Sequence, residues 1–420
     1  MRVFLSLLFC AASGLASAQP PSLPPLTAEQ AVTTAIQNNL RLSATVREID
    51  AAQRGVRSAR ALTNPEFLFS PGVTSINGTD EELLMQQPLE LNGTRAARTG
   101  AAEARLRQSR AEALVELRNL IFATRSAYYE LARAREQAAL ARDLLAFAET
   151  ADRLARRQVE LGTRPAIEQT QTGIEALRAQ QQVTIAEAQA VTAQAALNTQ
   201  MGRPPQTAIG PLAPLPTPAE PLPAENAASQ ALAARAEIAA AEAVRDTLLQ
   251  EARQLRAQGL PDLAPQFRAG GVVRRFEQYG VGLAITIPLD YGGRRERIRQ
   301  MEETARAQED RIAALRGQVL QEVEQALVQT RAAETVLRGY RQELLDQAKR
   351  LLDASRIGYE EGKTNLLALL EAQRTYRTVQ SESIAAQVAY ALARAELERA
   401  TGAANAALLP SVAQTTRRRP

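Results

Sequence analysis

From Thr94 to Glu160 the chain contains no proline, and from Arg294 to Ile357 it again contains none. A single helix over the first run would reach about 100 Å at ~1.5 Å per residue, several times the width of a small domain. Leu106, Ala113, Leu117, Ile121, Tyr128 and Leu131 recur along it at threes, fours and sevens, the spacing of a coiled-coil seam. A chain dominated by such runs cannot wrap around one thick core. Its composition agrees: aromatic residues make up only 4% and Trp is absent, so the helices must pack thinly and closely.

Each run begins at the same kind of junction. Gln86-Gln87-Pro88-Leu89-Glu90-Leu91-Asn92-Gly93-Thr94-Arg95 opens the first, and Ile285-Thr286-Ile287-Pro288-Leu289-Asp290-Tyr291-Gly292-Gly293-Arg294-Arg295 opens the second. Both read as a strand that ends and a long helix that begins. Pro88 and Pro288, Leu89 and Leu289, Gly93 and Gly293, and Arg95 and Arg295 each lie two hundred residues apart. The same offset relates Leu144-Leu145 to Leu344-Leu345, Gly162 to Gly362, and Gly202 to Gly402. The chain is therefore an internal two-fold repeat.

The pattern predicts a signal peptide over 1–18, a first repeat over 19–202, a Pro-rich linker over 203–224, a second repeat over 225–402 and a flexible tail over 403–420. In the first repeat a helix capped by Thr27 runs to about Arg60, with Val32, Ile36, Leu40, Val46, Ile49 and Val56 near helical spacing. Strands follow at Glu66–Ser70 and Leu83–Gln87, joined through turn chemistry around Asn77-Gly78. Leu161-Gly162-Thr163-Arg164-Pro165 turns the long helix back on itself. The second repeat predicts a helix from about Glu225 to Gln258, broken by Pro261 and Pro265. Strands at Phe267–Val273 and Val281–Ile287 are joined near Phe276-Glu277, and the second break spans Gly358 to Lys363.

Met1-Arg2, the apolar run Val3–Phe9 and Ala16-Ser17-Ala18 form an export signal with Gln19 as the mature start. Cys10, the only cysteine, falls inside that segment; a lipoprotein acylated at Cys10 is the competing reading, disfavoured by Phe9 where a small residue is expected. Without His or a mature Cys, zinc and copper sites and His or Cys catalysis lose their usual residues. Net charge is only +4, with the charges interleaved and no basic stripe with aromatics, which argues against nucleic-acid binding. Arg417-Arg418-Arg419 reads as a frayed basic terminus. No cofactor is implied.

In Val281-Gly282-Leu283-Ala284-Ile285-Thr286-Ile287 every odd position is large and apolar and every even one small or polar. In a strand these sets face opposite sides. One side could meet lipid and the other a pore; the alternative is a strand half-buried in a soluble sheet. A sheet in lipid must close on itself, and closed membrane barrels need about eight strands or more. Four strands per chain therefore demand an oligomer.

In these segments the sequence resembles the TolC family of Gram-negative outer-membrane efflux proteins. The carrying residues are Gln87 to Arg95, Ile287-Pro288-Leu289 with Gly293-Arg294, and Gly358-Tyr359-Glu360-Glu361-Gly362-Lys363-Thr364-Asn365-Leu366-Leu367 with Leu370-Glu371-Ala372-Gln373. The first of these, with Arg274-Arg275-Phe276-Glu277-Gln278-Tyr279, is most similar to the cobalt–zinc–cadmium resistance subgroup. The resemblance implies a mainly α protein with a small β part. Three chains would share a membrane β-barrel, four strands from each, above a long α-helical coiled-coil barrel that crosses the periplasm. The expected role is a passive export duct, for heavy-metal cations or drugs. Expected partners are a periplasmic adaptor (a membrane fusion protein), an inner-membrane pump of the RND type and outer-membrane lipid.

The resemblance also points to the periplasmic tip. Tyr359 stands at the family's tip tyrosine and Glu371 at its second acidic position, while Ala368 replaces the first acid and Thr364 the gating arginine. In the first repeat Glu168 and Arg164 hold the matching places. Glu371 and Glu168 are thus candidates for a cation-selective ring, and Tyr359 and Arg164 for the gate. Leu161, Gly162, Thr163, Gly362, Lys363 and Thr364 are candidates for adaptor contact. The bland alternative for each charge is a solvated helix face. For the whole chain the alternative is an exported periplasmic coiled-coil interaction protein without a pore.

Overall fold

A computed structural model describes residues 25–70, 82–218, 226–270, 278–290 and 292–402. The signal segment with Cys10, both hairpin loops, Tyr291 and the basic tail lie outside the described residues. The first repeat supplies α1 (Ala28–Asn38), α2 (Leu40–Arg60), β1 (Glu66–Ser70), β2 (Glu82–Gln86), α3 (Thr94–Glu160) and α4 (Ala166–Gln200). The second supplies α5 (Ala227–Ala234), α6 (Ala236–Ala257), β3 (Asp262–Gly270), β4 (Gln278–Thr286), α7 (Gly293–Gly339), a π-helical turn (Tyr340–Leu344), α8 (Leu345–Glu360) and α9 (Leu366–Thr401). The α3 helix is 67 residues long, and Ala113, Leu117, Ile121, Tyr128 and Leu131 of its seam are buried. None of the described helices is long and apolar enough to cross a membrane.

The strands form one antiparallel sheet in the order β1-β2-β3-β4, so the two hairpins join through β2 and β3. The register sorts the side chains. Phe67 lies opposite Met85, Met85 opposite Phe267, and Phe267 opposite Val281. Residues directly opposite share a face, so one face is an apolar row that also holds Phe69, Leu83, Leu283 and Ile285. The other face pairs Gln86 with Glu66 and with Gln266, and there Arg268 Nε meets Glu82 at 2.6 Å. On the apolar face Phe67, Val281, Leu283 and Ile285 stay 60% or more exposed on the single chain.

Several local expectations change. The first helix is two helices, because Asn39 leaves helical geometry (ψ 122°) and its side chain caps the backbone N–H groups of Arg41 and Leu42. The break shifts the phase: Leu40, expected inward, is 82% exposed and Leu42 is buried instead. Arg235 makes the matching break between α5 and α6. Pro265 does not stop the chain but sits inside β3, its carbonyl accepting from Gln87 N at 3.2 Å. Gly358 is helical, and the turn starts only after Glu360.

Both breaks meet the far end of their own repeat. Gly202, at φ +66°, closes α4 against Asn38, and Gly402, at φ +77°, closes α9 against Ala234. Asn39 Nδ2 donates to Gln200 O at 3.3 Å. The described part of the Pro-rich segment lies against the helices: Leu26 N donates to Pro211 O at 2.8 Å, and Tyr128 Oη donates to Leu26 O at 2.9 Å. Between the repeats, buried Arg118 on α3 pairs with Glu237 at 2.7 Å and donates to the Arg399 carbonyl. Arg235 pairs with Glu237 and with Glu322 at 2.7 Å. A buried guanidinium needs such partners, since its desolvation otherwise dominates.

Two glycine substitutions separate backbone strain from crowding. At Gly202 an added Cβ falls 2.6 Å from Asn38 O, whereas at Gly162 (φ +72°) it meets nothing within 4 Å. Both substitutions to Ala carry the left-handed penalty of about 1–2 kcal/mol. Gly202→Ala alone adds a backbone collision, and we expect it to lower the thermal midpoint clearly more than Gly162→Ala. Equal shifts in a circular-dichroism melt would contradict the packing described.

Candidate functional site

The two turns that reverse the long helices lie together. Leu161 to Pro165 joins α3 to α4, and Glu361 to Asn365 joins α8 to α9. Each follows helix-ending logic: Gly162 N donates to Val159 O at 2.9 Å and Thr163 N to Gln158 O at 3.0 Å. In the second turn Gly362 N donates to Tyr359 O at 3.1 Å and Lys363 N to Gly358 O at 2.7 Å. Glycine supplies the left-handed residue at both. Leu161, Gly162, Thr163, Gly362 and Lys363 are exposed and Thr364 is half-buried.

Behind the turns the repeats interlock around Tyr359. This side chain is fully buried, with Leu366 and Leu369 beside it and Phe147 and Leu154 of α3 packed on the cluster. Leu370 is half-buried there, but Leu367 is 65% exposed on the single chain. The Tyr359 hydroxyl donates to Glu168 Oε2 at 3.1 Å. The Arg164 guanidinium lies over the Tyr359 ring, 5.2 Å from its centre, and donates from Nη2 to Thr364 O at 3.2 Å. Arg164 Nη1 stands 3.7 Å from Glu168 Oε1. An arginine of the first repeat thus reaches the second repeat at Thr364. The sequence named all four residues; the contact among them comes from the packing of α3 and α4 beside α8 and α9.

Burial first, and then the Glu168 carboxylate, push the Tyr359 phenol up to about 12. Both effects favour the neutral phenol, which keeps the proton it donates to Glu168.

Glu371 is not part of this cluster. It is exposed on α9, and Arg374 Nη1, one turn on, donates to it at 3.1 Å. Arg374 Nη2 also comes within 3.8 Å of Glu175 on α4. Glu168 and Glu371, paired as ring candidates in the sequence, therefore differ: one is held between Tyr359 and Arg164, the other is open and matched by an arginine. Arg374 was not singled out, although its spacing of three residues after Glu371 was legible. Among the described residues no group of three or more His, Cys, Asp or Glu is placed to hold a metal ion.

The family model for the outer membrane efflux protein matches residues 31–203 and 227–403. Among curated proteins, the cobalt-zinc-cadmium resistance protein CzcC of Cupriavidus metallidurans is 30% identical over 363 residues, covering 84% of each chain. The pyoverdine export outer membrane protein OpmQ of Pseudomonas aeruginosa is 27% identical over 326 residues, covering 74% of this chain and 66% of the relative. Among solved structures, the outer membrane protein VceC of Vibrio cholerae has the same fold at a TM-score of 0.73 and 19% identity, covering 89% of this chain and 96% of its own.

The raised phenol pKa gives a test of the tip geometry. Below pH 10 the phenol is protonated whether the tip is folded or not, so the contact is intact. Between its ordinary value near 10 and about 12 only the folded tip keeps the proton, so stability is lost as pH rises through that window. In Glu168→Gln protein one tyrosine should ionise at lower pH than in wild type, read from tyrosinate absorbance. The difference should vanish in a Tyr359→Phe background; if it persists there, Glu168 acts on another phenol.

Proposed function

The chain belongs to the outer membrane efflux protein family, and on that premise we propose that three copies close one duct whose periplasmic end is latched by Arg164, Tyr359 and Glu168. The protein is an outer-membrane channel component of a tripartite efflux system, extending into the periplasm. Members of the family form homotrimeric channels that work with adaptor proteins and inner-membrane pumps.

The observation that carries the trimer is the sheet. Its four strands leave the outer edges of β1 and β4 without a partner among the described residues, and one face is an apolar row. In lipid such edges must pair, and three copies supply a closed ring of about twelve strands, inside the range of known barrels. Lipid then covers the apolar face, and the face bearing Glu66, Gln86, Gln266 and Arg268 lines the bore. With the hairpins in the membrane, the turns at Gly162 and Gly362 stand at the periplasmic end. There Leu161, Gly162, Thr163, Gly362, Lys363 and Thr364 would meet the adaptor. An RND-type pump would supply the energy.

Heavy-metal cations are the cargo class that the relation to CzcC supports. The duct itself need not coordinate them: a wide polar bore passes hydrated ions, and selection belongs to the pump. At the narrow end Arg164 and Glu168 close the tip by holding α4 against the Thr364 turn, and opening requires their contacts with Tyr359 and Thr364 to part. Glu168 and Glu371 are the ring candidates behind that end, while Glu160, Glu360 and Glu361 lie at the turns themselves.

Two measurements test this reading. Native mass spectrometry of the detergent-solubilised protein should show a trimer; a stable water-soluble monomer would sink the proposal. In planar bilayers, Arg164→Ala combined with Tyr359→Phe should raise single-channel conductance several-fold over wild type. Unchanged conductance would mean that the cluster is ordinary packing and the gate lies elsewhere.

A further inference from the structure

Above the tip, α4 and α9 stand on either side of α3 and leave a cleft of about 390 Å³. That size falls in the range of small-molecule sites. Its apolar surface comes from Leu144 of α3, Ile185 of α4 and Leu370 of α9. Ile185 is 51% exposed although it lies in a concavity. Arg178, Arg374 and Arg377 line the same cleft, and Glu175 is the one carboxylate among its lining residues.

Glu175 is shared: Arg178 Nη1 reaches it at 3.0 Å and Arg374 Nη2 at 3.8 Å. Arg374 has a second carboxylate in Glu371, outside the cleft, at 3.1 Å. Arg377 has no carboxylate partner among the described residues. Three guanidinium groups thus face two carboxylates, and the unmatched charge sits on Arg377. A second concavity of about 560 Å³ continues past Arg377 along the same three helices. A cation entering the cleft meets this surplus positive charge. A carboxylate or sulfonate meets planar donor forks suited to binding it through two oxygens.

We propose that this cleft binds amphipathic organic anions, with the acidic head on Arg377 and Arg178 and the apolar body against Leu144, Ile185 and Leu370. None of the three arginines belongs to the Tyr359 cluster, and Leu370 is the residue the cleft shares with it. Arg374 lies twelve residues past Gly362, roughly 18 Å along the helix from the tip. In a trimer the cleft would occur three times. Removing Arg377 takes away the head group's unmatched partner. Removing the charge of Glu175 frees Arg178 and Arg374 for the ligand.

The test is a fluorescence titration of the full-length trimer in lipid nanodiscs. The probes are the anionic anilinonaphthalene sulfonate and, as control, the uncharged phenylnaphthylamine. Wild type should bind the anionic probe saturably. Arg377→Gln should weaken that binding about ten-fold and Glu175→Gln should tighten it. A loosened variant would expose apolar surface and take up both probes more strongly, so a gain confined to the anionic probe, with the trimer confirmed by native mass spectrometry, marks the site itself. The uncharged probe should respond equally to all three proteins. Equal affinity of the anionic probe for wild type and both variants overturns the proposal, as does a parallel change in the uncharged probe.

Discussion

An open strand edge in lipid leaves a row of N–H and C=O groups with nothing to bond, at several kcal/mol for each group. Among the described residues β1 and β4 present such edges, and much of the architecture follows from that fact. The hairpins must lie side by side within one chain, so β2 pairs with β3 across the repeat boundary. The junctions from sheet to helix must be fixed, because each long helix inherits its direction there. At the first junction Asp262 accepts from the backbone of Glu90 and Leu91 at 3.1 and 3.0 Å, holding Glu90 at φ +54°. At the second, Asp290 accepts from Gly292 and Arg294 at 3.2 and 3.1 Å.

The helical part solves a different problem. A tunnel wall one helix thick has no deep interior, so its buried residues are small: much of the α3 core is alanine. Small residues bring helices close and add little hydrophobic stabilisation each. The repeats are therefore also tied by charge. Arg118, Arg235 and Arg399 converge with Glu237 and Glu322 where α3, α6, α7 and α9 meet. The helix breaks at Asn39 and Arg235 put the short helices beside the ends of α4 and α9, where Gly202 and Gly402 let the backbones approach. The π-helical turn at Tyr340–Leu344 has no counterpart in α3, which is continuous over the equivalent residues. Two nearly equal stretches of sequence are thus not equal rods.

The two carboxylates singled out as ring candidates are matched locally rather than left bare. Glu168 is held by Tyr359 and Arg164, and Glu371 by Arg374. A carboxylate with an arginine at 3.1 Å projects much less field than an isolated one. Three copies of Glu371 would then repel one another less than three unpaired carboxylates, and the nearby arginines would weigh in the local potential as much as the acids do.

The sequence by itself determined the repeat, the long helices, the four strands and the tip turns. These depend on local signals: absence of proline, alternation of apolar side chains, and glycine where the backbone turns left-handed. It also placed Tyr359, Glu168, Arg164 and Thr364 at one end of the molecule through the equivalence of the two turns. Only the tertiary structure decided that these four touch. The distance between Arg164 and Thr364 depends on how two helix pairs pack across the repeat, and no spacing in the chain encodes it. The same holds for the β2–β3 pairing, which turned separate alternations into one apolar face, and for the inward turn of Leu42 in place of Leu40. It holds too for the cleft around Arg377, whose walls come from three helices far apart in the chain. Local chemistry fixes elements and their ends, while contacts between elements depend on the relative phase of whole helices, which small breaks such as Asn39 and Arg235 reset.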